Sequence, residues 1–353
     1  MRALRAFLSL SLCLAASAAL AEPSVRWLET RHDFGTFAEE DGPVTCEFKM
    51  VNDGPGNASI VAARATCGCT QPSFTVRSLA PGDTASLSVT FDPTGRPGRL
   101  NKQVYVETSV GKQRLDIVGV VIGSDETVAR RFPVDCGPLK LETAGIMLGE
   151  VTKGQRKTVY SEGYNRSADS LRVSVVYKPA FVELIPSPAP ASPGEQITLI
   201  SYVNSEACNT YGLVEDSVII NVEGAGQYTL PITINVKEDF GRLSTEDKQK
   251  APISVLSDEI LDYGTPEAPV TQTFTIGNAG RNKLIIRRIY TSDPGVTIEY
   301  KGEEVSRGKK LSVAVTLDPA YAVDKYVTAT VTVITNDPMQ PVRTVRLAAT
   351  INK

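Results

Sequence analysis

Histidine is nearly absent from this chain, since His32 is the only one among its 353 residues. A Ser-His-Asp or Cys-His active site therefore has one possible base, and zinc sites that need several imidazoles are excluded. A phosphate-binding loop is missing too, because neither Gly54-Pro55-Gly56 nor Gly224-Ala225-Gly226 has the further glycine and the helix that such a loop requires. These absences favour a protein that is not an enzyme.

Long apolar runs and blocks of like charge are also missing. Aromatic residues make up 7% of the chain, whereas glycine and proline occur 27 and 22 times, a balance typical of β-sandwich proteins. Beyond the N-terminus no segment is apolar enough to cross a bilayer, which predicts no integral membrane span. The lack of a basic block argues against nucleic acid as a partner.

The N-terminus has the pattern of a secretory signal peptide over residues 1–21. Two arginines precede an apolar run, and small residues predict cleavage after Ala21. A lipid anchor on Cys13 is disfavoured, because Leu12 stands where a lipobox requires Gly, Ala or Ser. Cleavage leaves 35 basic against 40 acidic residues, a net charge near −5, and predicts a periplasmic or secreted protein.

Short segments of alternating character dominate the rest of the chain. Over 44–51 apolar and polar residues alternate, which is the period-two pattern of a half-buried strand. About seven such segments, separated by Gly and Pro clusters, precede residue 122, and this arrangement indicates an immunoglobulin-like sandwich.

The landmarks of this first module recur twice. Phe34-Gly35-Thr36 corresponds to Leu148-Gly149-Glu150 and to Tyr263-Gly264-Thr265, with glycines 114 and 115 residues apart. A later glycine turn and the strand after it recur in the same order. Such a series at one spacing is strong evidence of triplication.

The repeats predict an all-β chain of three tandem immunoglobulin-like β-sandwich domains after the signal peptide. Their predicted bounds are 24–122, 139–236 and 253–352. The linkers 123–138 and 237–252 are predicted to be solvated connectors, the second with a short helix capped by Ser244.

The first module resembles a known family. The segments that carry the resemblance are Asp33-Phe34-Gly35, Cys67-Gly68-Cys69-Thr70, Leu79-Ala80-Pro81-Gly82, Val89-Thr90-Phe91-Asp92 and Lys102-Gln103-Val104-Tyr105-Val106, with Gly98. They are similar to a secreted bacterial domain family of unknown function with a Cys-Gly-Cys-Thr turn, itself related to Hydin-type (ASH) and major-sperm-protein-like immunoglobulin domains. The resemblance implies the fold, a secreted location and a binding role, and it supplies no catalytic residues.

Five cysteines remain after removal of Cys13, so one at least has no partner within the monomer. Cys136 and Cys208 are the two outside the first module, and we predict a disulfide between them.

Cys67 and Cys69 are the chemically distinctive pair, because the equivalent turns near Pro179 and Pro294 contain no cysteine. In an extended strand their Cα atoms would be about 6.8 Å apart, the outer limit for a disulfide, although Gly68 permits a tighter turn. Two interpretations stay open. The pair binds copper(I) or exchanges disulfides, with Cys46 as a possible third sulfur, or one of the pair forms a structural disulfide with Cys46.

Two functions follow from these patterns. The first is a non-enzymatic protein-binding or scaffolding protein without a cofactor, whose partner is a protein of the cell envelope. The alternative is a periplasmic thiol protein that binds copper(I) or exchanges disulfides through Cys67 and Cys69.

Overall fold

A computed structural model describes residues 23–75 and 78–352, and the predicted signal peptide and Cys13 lie outside this range. Strands make up 57% of the described residues and helices 7%, which confirms the all-β prediction. No helix of the described part is both long and apolar enough to cross a membrane.

The first sandwich contains strands β1 to β8 and a one-turn 3-10 helix at Glu39–Asp41. The strands are β1 (Val25–Trp27), β2 (Arg31–Ala38), β3 (Val44–Asn52), β4 (Ile60–Ala65), β5 (Thr70–Phe74), β6 (Thr84–Phe91), β7 (Gly98–Thr108) and β8 (Gly111–Ile122). They form two four-stranded sheets, ordered β1-β3-β6-β5 and β2-β8-β7-β4. The inward side chains of both sheets, among them Phe48, Leu87 and Ile117, form one buried cluster.

The second pair of sheets follows a short helix, α1 (Asp125–Arg131). Its strands are β9 (Val134–Cys136), β10 (Leu139–Leu141), β11 (Ile146–Thr152), β12 (Arg156–Asn165), β13 (Val173–Tyr177), β14 (Val182–Ser187), β15 (Gln196–Asn204), β16 (Gly212–Val222) and β17 (Gly226–Lys237), with a 3-10 turn at Ser205–Ala207. The sheets are ordered β14-β15-β12-β10-β9 and β11-β17-β16-β13 and enclose a second buried cluster.

The third pair of sheets follows helix α2 (Thr245–Lys250). Its strands are β18 (Ser254–Leu256), β19 (Ile260–Asp262), β20 (Val270–Asn278), β21 (Leu284–Tyr290), β22 (Val296–Tyr300), β23 (Glu304–Val305), β24 (Lys310–Leu317), β25 (Tyr326–Thr335) and β26 (Val342–Thr350), with a 3-10 turn at Pro319–Tyr321. The sheets are ordered β18-β20-β24-β22 and β19-β26-β25-β21-β23 and enclose a third cluster.

By compactness the chain divides into two units rather than three. One unit extends to Arg131 and includes Pro193–Gln196, and the other contains Phe132–Ser192 and the chain from Ile197 onward. Three pairs of sheets are therefore present among the described residues, but the division into three independent domains stays a prediction.

The repeated glycines have the same backbone role in each repeat. Gly35, Gly149 and Gly264 have φ values of 67°, 68° and 61°, a left-handed conformation that glycine adopts at little cost. Near each of them an early strand pairs in parallel with the last long strand, namely β2 with β8, β11 with β17 and β19 with β26.

The first linker differs from the prediction of a solvated connector. Helix α1 buries Thr127 and Val128, and the buried carboxylate of Glu39 accepts hydrogen bonds from Gly95 N at 2.7 Å, Ser124 N at 2.9 Å and Thr127 Oγ1 at 2.8 Å. The start of the linker is thus held by the first sandwich. The helix predicted in the second linker is confirmed, because Ser244 caps α2 by accepting from Asp247 N at 3.1 Å.

Candidate functional site: the cysteine turn of the first sandwich

The Cys67-Gly68-Cys69 segment joins two edge strands. Strand β4 lies at one edge of its sheet and β5 at an edge of the other, so the chain changes sheets at this turn. Thr70 N donates to Cys67 O at 3.3 Å and closes a four-residue turn, while Asp92 N donates to Cys69 O at 2.9 Å. The turn is fixed at both ends by backbone hydrogen bonds.

The two cysteines form a disulfide with each other. Their Cα atoms are 5.3 Å apart, closer than an extended strand allows, because the chain turns at Gly68. A Cβ at Gly68 would have no heavy atom within 4 Å other than those of its two chain neighbours, so the outer side of the turn is open. This pairing corrects the interpretation in which one of them bonds to Cys46.

The two sulfur-bearing residues are unequally exposed. Cys67 is half-buried, whereas Cys69 is 6% exposed and belongs to the core of the first sandwich. Thr70, also buried, places Oγ1 3.5 Å from Cys67 Sγ and 3.8 Å from Cys69 Sγ. One hydroxyl therefore lies within reach of both sulfurs, and one sulfur-bearing residue faces solvent more than the other.

Cys46 does not join the pair. It is opposite Val89 on β6, and Val89 is opposite Pro72 on β5, so two strand spacings, about 10 Å, separate Cys46 from the β5 backbone. Cys69 lies three residues, about 10 Å, before Pro72 in the chain. Burial raises the pKa of the Cys46 thiol to about 12, which keeps it protonated.

The copper(I) interpretation consequently lacks the predicted third sulfur. While Cys67 and Cys69 are joined, neither provides a thiolate, the form of cysteine that ligates a metal. Across residues 23–75 and 78–352 no group of three or more His, Cys, Asp or Glu side chains is arranged to hold a metal ion.

The predicted disulfide between Cys136 and Cys208 is wrong in this structure, where both are free and buried. Cys136 lies opposite Leu139, which in turn lies opposite Asn165 at the end of β12. Cys208 follows the turn whose Ser205 N donates to Gln155 O, at the start of β12. Ten residues of strand, about 30 Å, separate these ends, far beyond the reach of a disulfide.

The other two repeats build the same turn without sulfur. The closing bond is made by Val182 N to Pro179 O at 3.1 Å in one repeat and by Val296 N to Asp293 O at 3.2 Å in the other. The bond to the neighbouring strand is also repeated, from Asn204 N to Phe181 O at 2.9 Å and from Asp318 N to Gly295 O at 2.8 Å. The disulfide is therefore not required to form the turn.

Sequence reasoning missed a buried asparagine in each repeat. The amides of Asn52, Asn165 and Asn278 each donate to the carbonyl four residues on and to a second carbonyl 26 or 27 residues on. Each Oδ1 also accepts from the backbone N–H two residues on. The signal was available, because both intervals between these asparagines are 113 residues.

The comparison with protein families gives one result. The family model of DUF1573, described as a protein of unknown function, matches residues 25–121 and again residues 255–351. The first match includes Cys67 and Cys69, and the two together cover more than half of the chain. No curated protein sequence matches the chain.

Among solved structures, a protein of unknown function from Porphyromonas gingivalis W83 is 20% identical to this chain and has a TM-score of 0.49. The match covers 61% of this chain and 100% of the other. An I-band fragment of titin is 12% identical, with a TM-score of 0.21 and coverage of 94% of this chain and 99% of the fragment. Both TM-scores are below 0.5, so neither likeness bears on function.

Proposed function

Because the chain belongs to the DUF1573 family and carries its domain twice, we propose that it is a non-enzymatic scaffold that binds a protein of the cell envelope. The scaffold comprises three β-sandwich domains, residues 24–122, 139–236 and 253–352, and acts in the periplasm or outside the cell. The resemblance to Hydin-type and major-sperm-protein-like domains supports a binding role.

The observation that carries this proposal is the joint between the second and third pairs of sheets, both in the larger unit. Glu238, just after β17, receives two hydrogen bonds from the guanidinium of Arg287 on β21, the first from Nε at 2.9 Å. Both side chains are largely buried, and the Arg287 guanidinium lies 5.2 Å from the Tyr211 ring centroid. A bidentate pair of this kind fixes orientation as well as distance.

A second arginine strengthens the same joint. Arg288 Nη1 donates to Leu213 O at 2.7 Å and to Tyr211 O at 3.2 Å, and the Arg288 guanidinium lies 4.1 Å from the Tyr290 ring centroid. Adjacent β modules held at a fixed orientation present their free edge strands at a fixed spacing. Such a spacing suits the recognition of one partner by strand addition at more than one edge.

The test is affinity capture from a cell-envelope extract with the purified mature chain as bait. We expect a specific partner that is retained by the natural chain and reduced several-fold by the double variant Arg287→Ala/Arg288→Ala, which frees the joint.

The matched control is the double variant Arg281→Ala/Arg307→Ala, which removes two exposed charges from the same unit and is expected to retain the partner. Absence of any partner above the unrelated-bait background, or equal loss with both double variants, would contradict the scaffold.

A further inference from the structure

The disulfide of the first sandwich is a feature that binding alone does not explain. Its ring contains one residue between the two cysteines, and the stabilisation that a disulfide gives to a fold grows with the length of the loop it closes. The same turn forms in the other two repeats with proline or aspartate in place of Cys67. The bond therefore contributes little to folding.

We propose that Cys67–Cys69 is a thiol–disulfide exchange site, in which a substrate thiolate attacks Cys67 Sγ and Cys69 is the leaving sulfur. The activity is separate from the scaffold role, since it needs neither the second nor the third pair of sheets. Its substrate class is a cysteine thiol.

The assignment of the two roles follows from exposure. Attack requires the incoming sulfur to approach the target in line with the bond that breaks, and Cys69, at 6% exposure, is covered by the core. Cys67 is half-buried beside Gly68, whose outer side is open. An incoming thiolate thus meets less cover at Cys67 than at Cys69.

Thr70 is assigned as the positioning residue for the leaving group. Its hydroxyl lies 3.8 Å from Cys69 Sγ and 3.5 Å from Cys67 Sγ, so it can donate to the thiolate that forms when the bond breaks. A hydrogen bond to the charged form lowers the pKa of a thiol, and a leaving thiol of lower pKa departs faster. Buried Cys69 needs this donor, because burial alone would disfavour its thiolate.

The exchange balances as two displacements. In the first, the substrate thiolate forms a bond to Cys67 Sγ, the bond between Cys67 and Cys69 breaks, and its electron pair leaves on Cys69 Sγ, which takes up a proton. In the second, another thiolate, on the same substrate or on a second thiol molecule, attacks the substrate sulfur of the mixed disulfide, and Cys67 leaves as a thiolate that takes up a proton. The two substrate thiols are oxidised to one disulfide, and Cys67 and Cys69 are reduced to two thiols.

Mass tagging of thiols in the folded mature chain tests the first part. After treatment with reduced glutathione and then denaturation we expect five taggable cysteines, against three in the untreated chain, namely Cys46, Cys136 and Cys208. Oxidised glutathione should return the count to three. A pair that is reduced only when the chain unfolds would overturn the proposal. So would a reduced pair that resists oxidised glutathione and instead takes up copper(I).

Variants in which one of the two cysteines is replaced test the roles of the two sulfurs. Cys69→Ser, which keeps Cys67, should form a mixed disulfide with oxidised glutathione at least about tenfold faster than Cys67→Ser, which keeps buried Cys69. Equal rates would overturn the assignment. Repeating the reduction with an unstructured one-cysteine peptide distinguishes the two kinds of substrate thiol. A faster reaction with the peptide than with glutathione indicates a protein cysteine as the substrate, and a slower one indicates a small thiol.

The role of Thr70 is tested by Thr70→Val, which keeps the shape of the side chain. Reduction by glutathione should slow by about tenfold, the rate equivalent of one lost hydrogen bond to a charged group, with the unfolding midpoint of the oxidised chain nearly unchanged. Ser73→Ala on the same strand is the matched control and should react at the natural rate. Equal rates for the two variants would remove Thr70 from the mechanism.

Discussion

One buried carboxylate decides how the segment after the first sandwich is held. Burial by itself raises the pKa of Glu39, but the hydrogen bonds from Gly95, Ser124 and Thr127 outweigh it and leave this pKa below its ordinary value of 4.5. Because the pKa is lower in the folded state, the carboxylate stabilises the fold above pH 4.5, and this stabilisation is lost as pH falls through the folded pKa.

Replacing Glu39 with Gln should therefore lower the free energy of unfolding of the first unit at pH 7 by about 1–3 kcal/mol, because an amide hydrogen then faces a backbone donor. The loss should shrink as the pH is lowered below the ordinary pKa of the carboxyl. Urea unfolding followed by the fluorescence of Trp27, the one tryptophan of the chain, measures it. Glu40→Gln, a change at the exposed neighbour, should have little effect, and equal losses for both variants would contradict the role of Glu39.

At the scale of the element, the buried asparagine of each repeat holds two loops against the end of a strand. Asn52, at the end of β3, is fully buried and donates to Gly56 O at 2.8 Å and to Leu79 O at 2.9 Å. These bonds fix two loops against one strand end, where Leu79 O also accepts from Ala58 N at 3.0 Å.

Asn52→Ala is expected to lower the free energy of unfolding of the first unit by about 1–3 kcal/mol, since half-buried Gly56 O loses this donor and Leu79 O keeps only the bond from Ala58 N. Trp27 is again the probe, because β1 pairs directly with β3. Asn57→Ala, at an exposed position of the same turn, is the control. A loss below that of the control would show that the loops hold without the amide.

The joint between the second and third pairs of sheets also depends on a glycine, Gly212, which lies close to the side chains of Ile334 and Tyr290. Gly212 has φ +81°, and a Cβ there would overlap the side chain of Ile334 and lie 3.1 Å from the Tyr290 hydroxyl. A side chain here would need a left-handed backbone and would displace the end of the Ile334 side chain.

Gly212→Ala should destabilise the larger unit by about 2–4 kcal/mol, from left-handed strain of roughly 1–2 kcal/mol and from the overlap. Gly224→Ala separates the strain from the overlap, because Gly224 also has a left-handed φ of +78° but has open space around it. We expect it to cost the strain alone. Scanning calorimetry measures both, and equal shifts in Tm would show that the contact with Ile334 is not limiting.

At the scale of the whole molecule, the two linkers are protected to different degrees. Helix α1 buries two of its residues, whereas no residue of α2 is buried. Trypsin should therefore cut first within 237–252, near Lys248 and Lys250, and only later near Arg130 and Arg131. Mass spectrometry of early fragments identifies the order. First cleavage inside the strands would contradict the predicted three domains, and first cleavage in α1 would contradict the attachment that Glu39 provides.

The sequence by itself determined the all-β class, the repeated glycine turns and the capped helix after Ser244. These features depend on interactions between residues close in sequence, such as the period-two alternation over 44–51 and the left-handed backbone at Gly35 and Gly149. Such local preferences are visible in the order of residues alone.

Only the tertiary structure decided the pairing of the cysteines. Cys136 and Cys208 are the natural pair by counting, but they lie at opposite ends of β12, and Cys46 lies two strands away from β5. Proximity among sulfurs depends on strand order and register, which join residues far apart in sequence. Cys67 and Cys69 bond because the turn between two edge strands brings their Cα atoms to 5.3 Å, a distance that an extended chain does not reach.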